Sequence, residues 1–256
     1  LISFKERRFA TADLQKTAVS DRRSLFHAFV LPSFLGMSDR HLIDVSHTVE
    51  DGMITYKGLP APIICDYLSR EASRARYAKG TEFQIGKIEM VANTGTYIDS
   101  PFHRYPHGAD LSGLKLESLA DLDCVVVRVT GRRDRALDEL PIDITTLKGK
   151  ALLVHTGWDA HWRTDAYFEG HPHLTGALAE KLVSAGVTLV GIDSFNIDST
   201  DDGTRPVHSA LLGAGIPIVE HLCGLAALPD HGARFFAVPV KVKGMGTFPV
   251  RAFAKL

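Results

Sequence analysis

Asp99 and His103 stand four residues apart in the run Asn93-Thr-Gly-Thr-Tyr-Ile-Asp-Ser-Pro-Phe-His-Arg-Tyr-Pro-His107, with Tyr97 two before the aspartate. A carboxylate, an imidazole and a phenol so close together can accept, donate and pass on protons, which is the equipment of general acid/base catalysis. If the segment up to Asp99 is a strand, Asn93, Gly95, Tyr97 and Asp99 share one face, because alternate side chains point the same way. That face is polar and follows the apolar run Ile88 to Ala92, while Gly95 permits a bend or close approach and Pro101 fixes φ. A polar face opening at a strand end beside Gly and Pro suits a site better than a core. A strand edge whose Asp caps a turn, and whose His is an ordinary surface residue, fits the same letters.

The elements that would position these groups are those of a mixed α/β domain. Leu42 to Val49 reads as a strand with Glu50-Asp-Gly-Met as its turn, and Phe83 to Ala92 as the strand leading into the polar segment. Tyr56-Lys-Gly-Leu-Pro-Ala-Pro is an extended loop, because each proline pushes its predecessor out of the helical region; it is placed at a substrate entrance. Cys124-Val-Val-Val-Arg-Val and Ala151-Leu-Leu-Val-His read as buried strands. Leu174, Leu178, Leu182 and Val183 make one helical face that Gly186 stops, and the strand Val187 to Ile192 follows, so part of the sheet is expected to be parallel. A helix is expected from His208 and a short strand at Gly215 to Glu220, with a hairpin or meander over Arg234 to Phe253. The acid-rich run Asp193 to Gly203 lacks a glutamate at the twelfth position and a flanking helix pair, so it reads as a polar loop and not a calcium loop. Trp158, Trp162, Tyr167 and Phe168 cluster after the second buried strand; such aromatics can wall an apolar substrate pocket, with Trp158 the candidate contact, or anchor packing.

Composition narrows the function classes. The chain has 256 residues, 45% of them hydrophobic and 23% charged, with a formal net charge of -1. Near-neutral charge argues against nucleic acid as a partner, and no apolar run approaches the roughly 20 residues that cross a bilayer, so no membrane partner is expected. Cys65, Cys124 and Cys223 are scattered and odd in number, which fits a reducing, cytoplasmic setting. Residues 1–36 hold six Lys/Arg against three acids and contain no signal-peptide pattern; they are expected to be an N-terminal extension, with a single functional domain over 37–256.

The polar segment also resembles the signature of the metal-dependent cyclase-like hydrolases, the family of bacterial kynurenine formamidase and isatin hydrolase, which reads His-x-Gly-Thr-His-x-Asp-x-Pro-x-His. Gly95, Thr96, Asp99, Pro101 and His103 match it, whereas Asn93 and Tyr97 stand where the family has histidines. Ile43-Asp-Val-Ser-His-Thr resembles the family's opening strand and Leu189-Val-Gly-Ile-Asp193 its later buried strand, with His208 and Glu220 after it. The resemblance covers residues 42 to 256 and implies a swivelling β/β/α fold in a homodimer or homotetramer. It implies two metal positions, one held by the two motif histidines, the Asp and the distant Glu, the other by the Asp, the distant His and the same Glu. This chain keeps the second set, Asp99, His208 and Glu220, for one Zn²⁺ or Mn²⁺, with His103 as general acid/base. His47 falls near the family's pocket and is a candidate for substrate contact or a turn-stabilising residue. The expected activity is hydrolysis of an amide, formamide or lactone in a small cyclic or aromatic carbonyl compound. Two alternatives stay open. In one, a metal-free lyase, dehydratase or isomerase uses Asp99, Glu220 and His103, with Tyr97 or Asn93 as oxyanion donor. In the other, the chain is a non-catalytic relative that only binds a small molecule.

Overall fold

The computed structural model describes residues 41–256, so the extension expected over 1–36 lies outside the described residues. In chain order the strands are β1 (Leu42–Asp44), β2 (Ile63–Leu68), β3 (Ile85–Glu89), β4 (Tyr97–Asp99), β5 (Leu122–Arg128) and β6 (Ala136–Leu137). After them come β7 (Ala151–His155), β8 (His173–Leu174), β9 (Leu189–Ile192), β10 (Ile218–Glu220), β11 (Ala233–Phe236), β12 (Thr247–Pro249) and β13 (Phe253–Lys255). Helices are few: α1 (Arg70–Ser73), α2 (Gly176–Ala185) and α3 (Pro206–Gly213).

Nine strands form one sheet in the order β1-β13-β11-β5-β7-β9-β10-β4-β12. Its centre, β5-β7-β9-β10, is parallel and its flanks are antiparallel. The central strands are covered on both sides, which is why their sequences are unbroken apolar runs and not alternating ones. Val125, Val127, Leu152, Val154, Val190 and Ile192 face α2 and α3, packing with Leu178, Leu182, Val207 and Leu211. Their neighbours Cys124, Val126, Ala151, Leu153 and Leu189 point the other way, onto Phe235, Ala254 and Leu222. Thr175 caps α2 at its start and Gly186, at φ 75°, ends it.

The sheet curls, and the tail shows why. β12 lies at one edge and β13 next to the other, seven strand spacings away, which in a flat sheet would be about 34 Å. Pro249 to Phe253 can span at most about 14 Å. Only a half-barrel brings the edges close enough for that link, so the mixed α/β sheet with few helices expected above is also curled. The tail is therefore not the hairpin or meander read from its sequence: β11 pairs with β5 and β13, and β12 pairs with β4. A second difference concerns β3. It does not run on into the polar segment but pairs with β2 in a separate hairpin whose residues are nearly all exposed, including Ile88.

Leu153 is fully buried in the layer opposite the helices. Leu153→Ala is expected to lower the unfolding free energy by about 2–5 kcal/mol, read from the midpoint and slope of a guanidinium titration. A loss under about 1 kcal/mol would mean that this layer closes around the missing atoms.

Candidate active site

β4 is flanked by β10 and β12, and the register dictates which side chains meet. Glu220 lies directly opposite Tyr97, and both Ile218 and Thr247 lie opposite Asp99. Directly opposed residues put their side chains on one face, within about 5 Å at Cβ. Two cross-strand hydrogen bonds result: the Tyr97 phenol donates to Glu220 Oε2 at 2.5 Å, and the Thr247 hydroxyl donates to Asp99 Oδ1. Ile218 packs with α3 residues, so this face is the one that α3 covers.

His208 comes from α3, whose first turn is fixed by Asp198. The Asp198 carboxylate accepts the backbone N–H of Val207 at 2.7 Å, that of His208 at 3.0 Å, and the His208 Nδ1 hydrogen at 2.6 Å. Burial works against its charge, but these donors outweigh it and hold the Asp198 carboxyl below the usual range. With Nδ1 committed, Nε2 of His208 faces the strand carboxylates, 3.6 Å from Asp99 Oδ2 and 3.9 Å from Glu220 Oε1. Glu220 Oε1 also accepts the Ile197 N–H at 2.6 Å, tying the acid-rich loop to the sheet.

His103 ends the short 3-10 turn Pro101–His103 that follows β4. Its Nδ1 is 2.8 Å from Thr247 Oγ1 and 3.7 Å from Asp99 Oδ1. The threonine has one hydrogen, and an ionised Asp99 can only accept it; His103 Nδ1 must then carry the proton it shares with Thr247. Nε2 of His103 is left with a free lone pair. This approach needs Gly246, because a Cβ there would lie 2.5 Å from His103 Cα.

The local charges are strongly perturbed. Burial pushes Glu220 upward, with Asp99 adding to it and His208 opposing. Burial also pulls His208 down, but its bonds to Asp198 and Asp99 and the Glu220 charge override that and push it up to about 10. Tyr97 is raised well above its ordinary range by burial and by Glu220, so it stays a hydrogen-bond donor.

A divalent ion fits this donor set. Asp99, His103 and His208 offer ligand atoms all within 4.8 Å of one another, with Glu220 beside them. Asp99 Oδ2 is buried and has no hydrogen-bond partner among the described residues, an orphaned carboxyl oxygen facing His208. The carboxylate-held Nδ1 of His208 is the outer-shell arrangement that orients a metal-binding imidazole.

A cavity of about 260 Å³ opens over these groups, lined by Asn93, Tyr97, His103, His208 and Glu220, with Tyr56, Leu59, Arg104, Asn196 and Arg205 as the remaining wall. The loop expected at an entrance does line it, through Tyr56 and Leu59. Trp158 and His47 do not. Trp158 follows a turn that the buried Asp193 fastens through Thr156 and Gly157, and its indole N–H goes to the Tyr167 carbonyl at 3.0 Å. His47 stacks on Trp162 with ring centres 3.8 Å apart. Both are packing residues, and the aromatic cluster closes around the buried His221, whose burial pulls it down to about 3. Thr247, Asp198, Asn196 and the two arginines carried no local sign in the sequence; only pairing across long separations reveals them.

The sequence of the family it matches completes the picture. The chain belongs to the Cyclase family, whose model matches residues 43–199. It is 28% identical over 217 residues to a kynurenine formamidase of Bacillus cereus, covering 84% of this chain and 98% of that one. Among solved structures it is similar to a "predicted metal-dependent hydrolase from Bacillus stearothermophilus", at 25% identity, with a TM-score of 0.65 over 84% of this chain and 98% of that one. Its fold also matches isatin hydrolase A from Labrenzia aggregata, with a TM-score of 0.67 and 20% identity over 85% and 94% of the two chains.

Thr247→Val removes the hydroxyl between Asp99 and His103 while keeping the shape. We expect kcat to fall by about 10²-fold with KM little changed, and Thr247→Ser to restore most of it. Equal rates for the Val and Ser variants would show that Thr247 only fills space.

Proposed function

We propose that this chain hydrolyses an amide, formamide or lactone bond in a small cyclic or aromatic carbonyl compound, with His103 as general acid/base and one Zn²⁺ or Mn²⁺ held by Asp99, His208 and Glu220. The observation that carries this reading is the convergence of Asp99, His103 and His208, the two histidines lining one cavity and Asp99 buried within 4.8 Å of their ring nitrogens. The names of the relatives, kynurenine formamidase and metal-dependent hydrolase, support the reaction class.

When bound, the ion would polarise the substrate carbonyl and acidify a water molecule. The protein's own residues do the rest. Nε2 of His103, left free by the Thr247 contact, takes a proton from the attacking water and returns it to the departing nitrogen or oxygen. Asp198 holds His208 in one orientation. Tyr97 spends its only hydrogen on Glu220, so its part is to fix that carboxylate and not to donate to an oxyanion. Asn93, on the cavity wall, would donate its amide hydrogen to the carbonyl oxygen.

The reading extends to assembly as a homodimer. The β2-β3 hairpin exposes Ile63, Tyr67, Phe83, Ile85 and Ile88, with Tyr67 74% exposed, an apolar surface that a second copy would cover. Light scattering behind a sizing column should give twice the chain mass, and Ile88→Asp should give one chain mass; a monomeric wild type removes the dimer.

Elemental analysis of gently purified protein should find about one Zn or Mn per chain, reduced severalfold in His208→Ala. His103→Ala should keep its fold and lose turnover by about 10²–10⁴ on N-formyl anilines, cyclic amides or lactones. A near-normal rate in that variant takes His103 out of the mechanism. Restoring both family histidines, with Asn93→His and Tyr97→His, should raise metal occupancy.

A further inference from the structure

Besides Tyr97, His103, His208 and Glu220, the cavity has a second set of lining residues with different chemistry. Arg104 and Arg205 both line it, and neither has a carboxylate within 4 Å among the described residues. Arg104 is at the surface, lies over the Tyr105 ring and gives its Nε hydrogen to Ser209 Oγ at 3.2 Å, leaving both terminal nitrogens. Arg205 is half-buried, and its contacts are neutral: Nη1 reaches Asn196 Oδ1 at 3.3 Å and the Ser199 carbonyl at 3.2 Å. The nearby Asp202 gives Oδ1 to the N–H and O–H of Thr204 and feels the Arg205 charge from beyond ion-pair distance. The hydrogen-bonded partners of Arg205 among the described residues are therefore all neutral, which leaves a half-buried guanidinium without a directly paired carboxylate.

The polar groups around Arg205 point to what that counter-charge is. Asn196 Oδ1 accepts the Asp198 N–H at 2.9 Å as well as Arg205, which fixes the amide so that Nδ2 donates to the Tyr56 hydroxyl at 3.3 Å. Tyr56 therefore receives hydrogens from its protein neighbour and keeps its own O–H to give to a ligand. Two guanidiniums and one phenol, all donors, converge on a wall with no acidic side chain among its residues. The same cavity is lined by Glu220, His103 and His208, with Asp99 buried behind the histidines. It thus sets donors suited to an anion beside groups that can act on a carbonyl. A planar carboxylate matches the fork of a guanidinium better than a neutral group can.

We infer that the substrate is a carboxylic acid, whose carboxylate is held by Arg205, Arg104 and the Tyr56 hydroxyl while its amide or ester carbonyl lies over Asp99, His103 and His208. This rests on the reading of the cavity as the substrate site and narrows the hydrolase proposal from carbonyl compounds in general to acid-bearing ones.

The test is a calorimetric titration of the full-length protein, as purified, with 2-aminobenzoate and with its neutral counterpart 2-aminobenzamide. Wild type is expected to bind the acid at least about tenfold more tightly than the amide. Arg205→Gln should bring the two within about twofold, Arg104→Gln should narrow the gap, and Arg205→Lys should keep part of it; the surface variant Arg133→Gln should change nothing. Equal affinity in wild type, no binding of either compound at millimolar concentration, or a preference that survives in the Arg104→Gln/Arg205→Gln double variant would each overturn the inference. The last would place the carboxylate on the cavity floor. If Arg205→Gln does not fold, the wild-type ratio and Arg104→Gln still decide. The two proposals fail separately: an arginine-dependent preference without turnover on any acid substrate leaves the anion site standing and the hydrolase reading fallen. Equal kcat/KM on an acid substrate and its neutral amide does the reverse.

Discussion

The structure depends on one buried acidic side chain, that of Asp99, held where three strands and a helix meet. Moving a carboxylate out of water costs several kcal/mol unless opposite charge and hydrogen bonds replace the lost solvation. Here Oδ1 is satisfied by the Thr247 hydroxyl, while Oδ2 has no donor among the described residues and faces His208. Every neighbouring feature follows from that imbalance. β12 must lie beside β4 to bring Thr247, Gly246 must lack a side chain to let His103 approach, and Asp198 must pin His208 in place.

The two departures from the family pattern acquire a physical sense against that background. At position 97 the phenol supplies Glu220 with a neutral hydrogen-bond donor where the family pattern has an imidazole. At position 93 the amide lines the cavity.

Local chemistry was legible and long-range pairing was not. The strands at β5, β7 and β9 announce themselves as short apolar, β-branched runs, and the end of α2 is written in Gly186. The spacing of Asp99 and His103 marks the acid/base pair, and His208 and Glu220 enter through family resemblance. Thr247 gives no such sign: it is a threonine in an unremarkable tail until the register sets it opposite Asp99. Asp198 looked like one acid in a polar loop, yet it is fully buried and reaches ten residues forward to His208. The tail misled for a related reason, since nothing in Arg234 to Phe253 tells a hairpin or meander from strands sent to distant parts of a curled sheet.

That arrangement of β12 and β13 also sets an order of events during synthesis. A nascent chain that has emerged only through α3 and β10 already carries Asp99, His103, His208 and Glu220, but the outer side of β4 has no partner and the sheet has no link to hold its curl. Until residues 247–255 leave the ribosome, that bare edge is a template for pairing with other chains. The Thr247 hydroxyl beside Asp99 and the missing neighbour of β4 therefore arrive together, with the same nine residues.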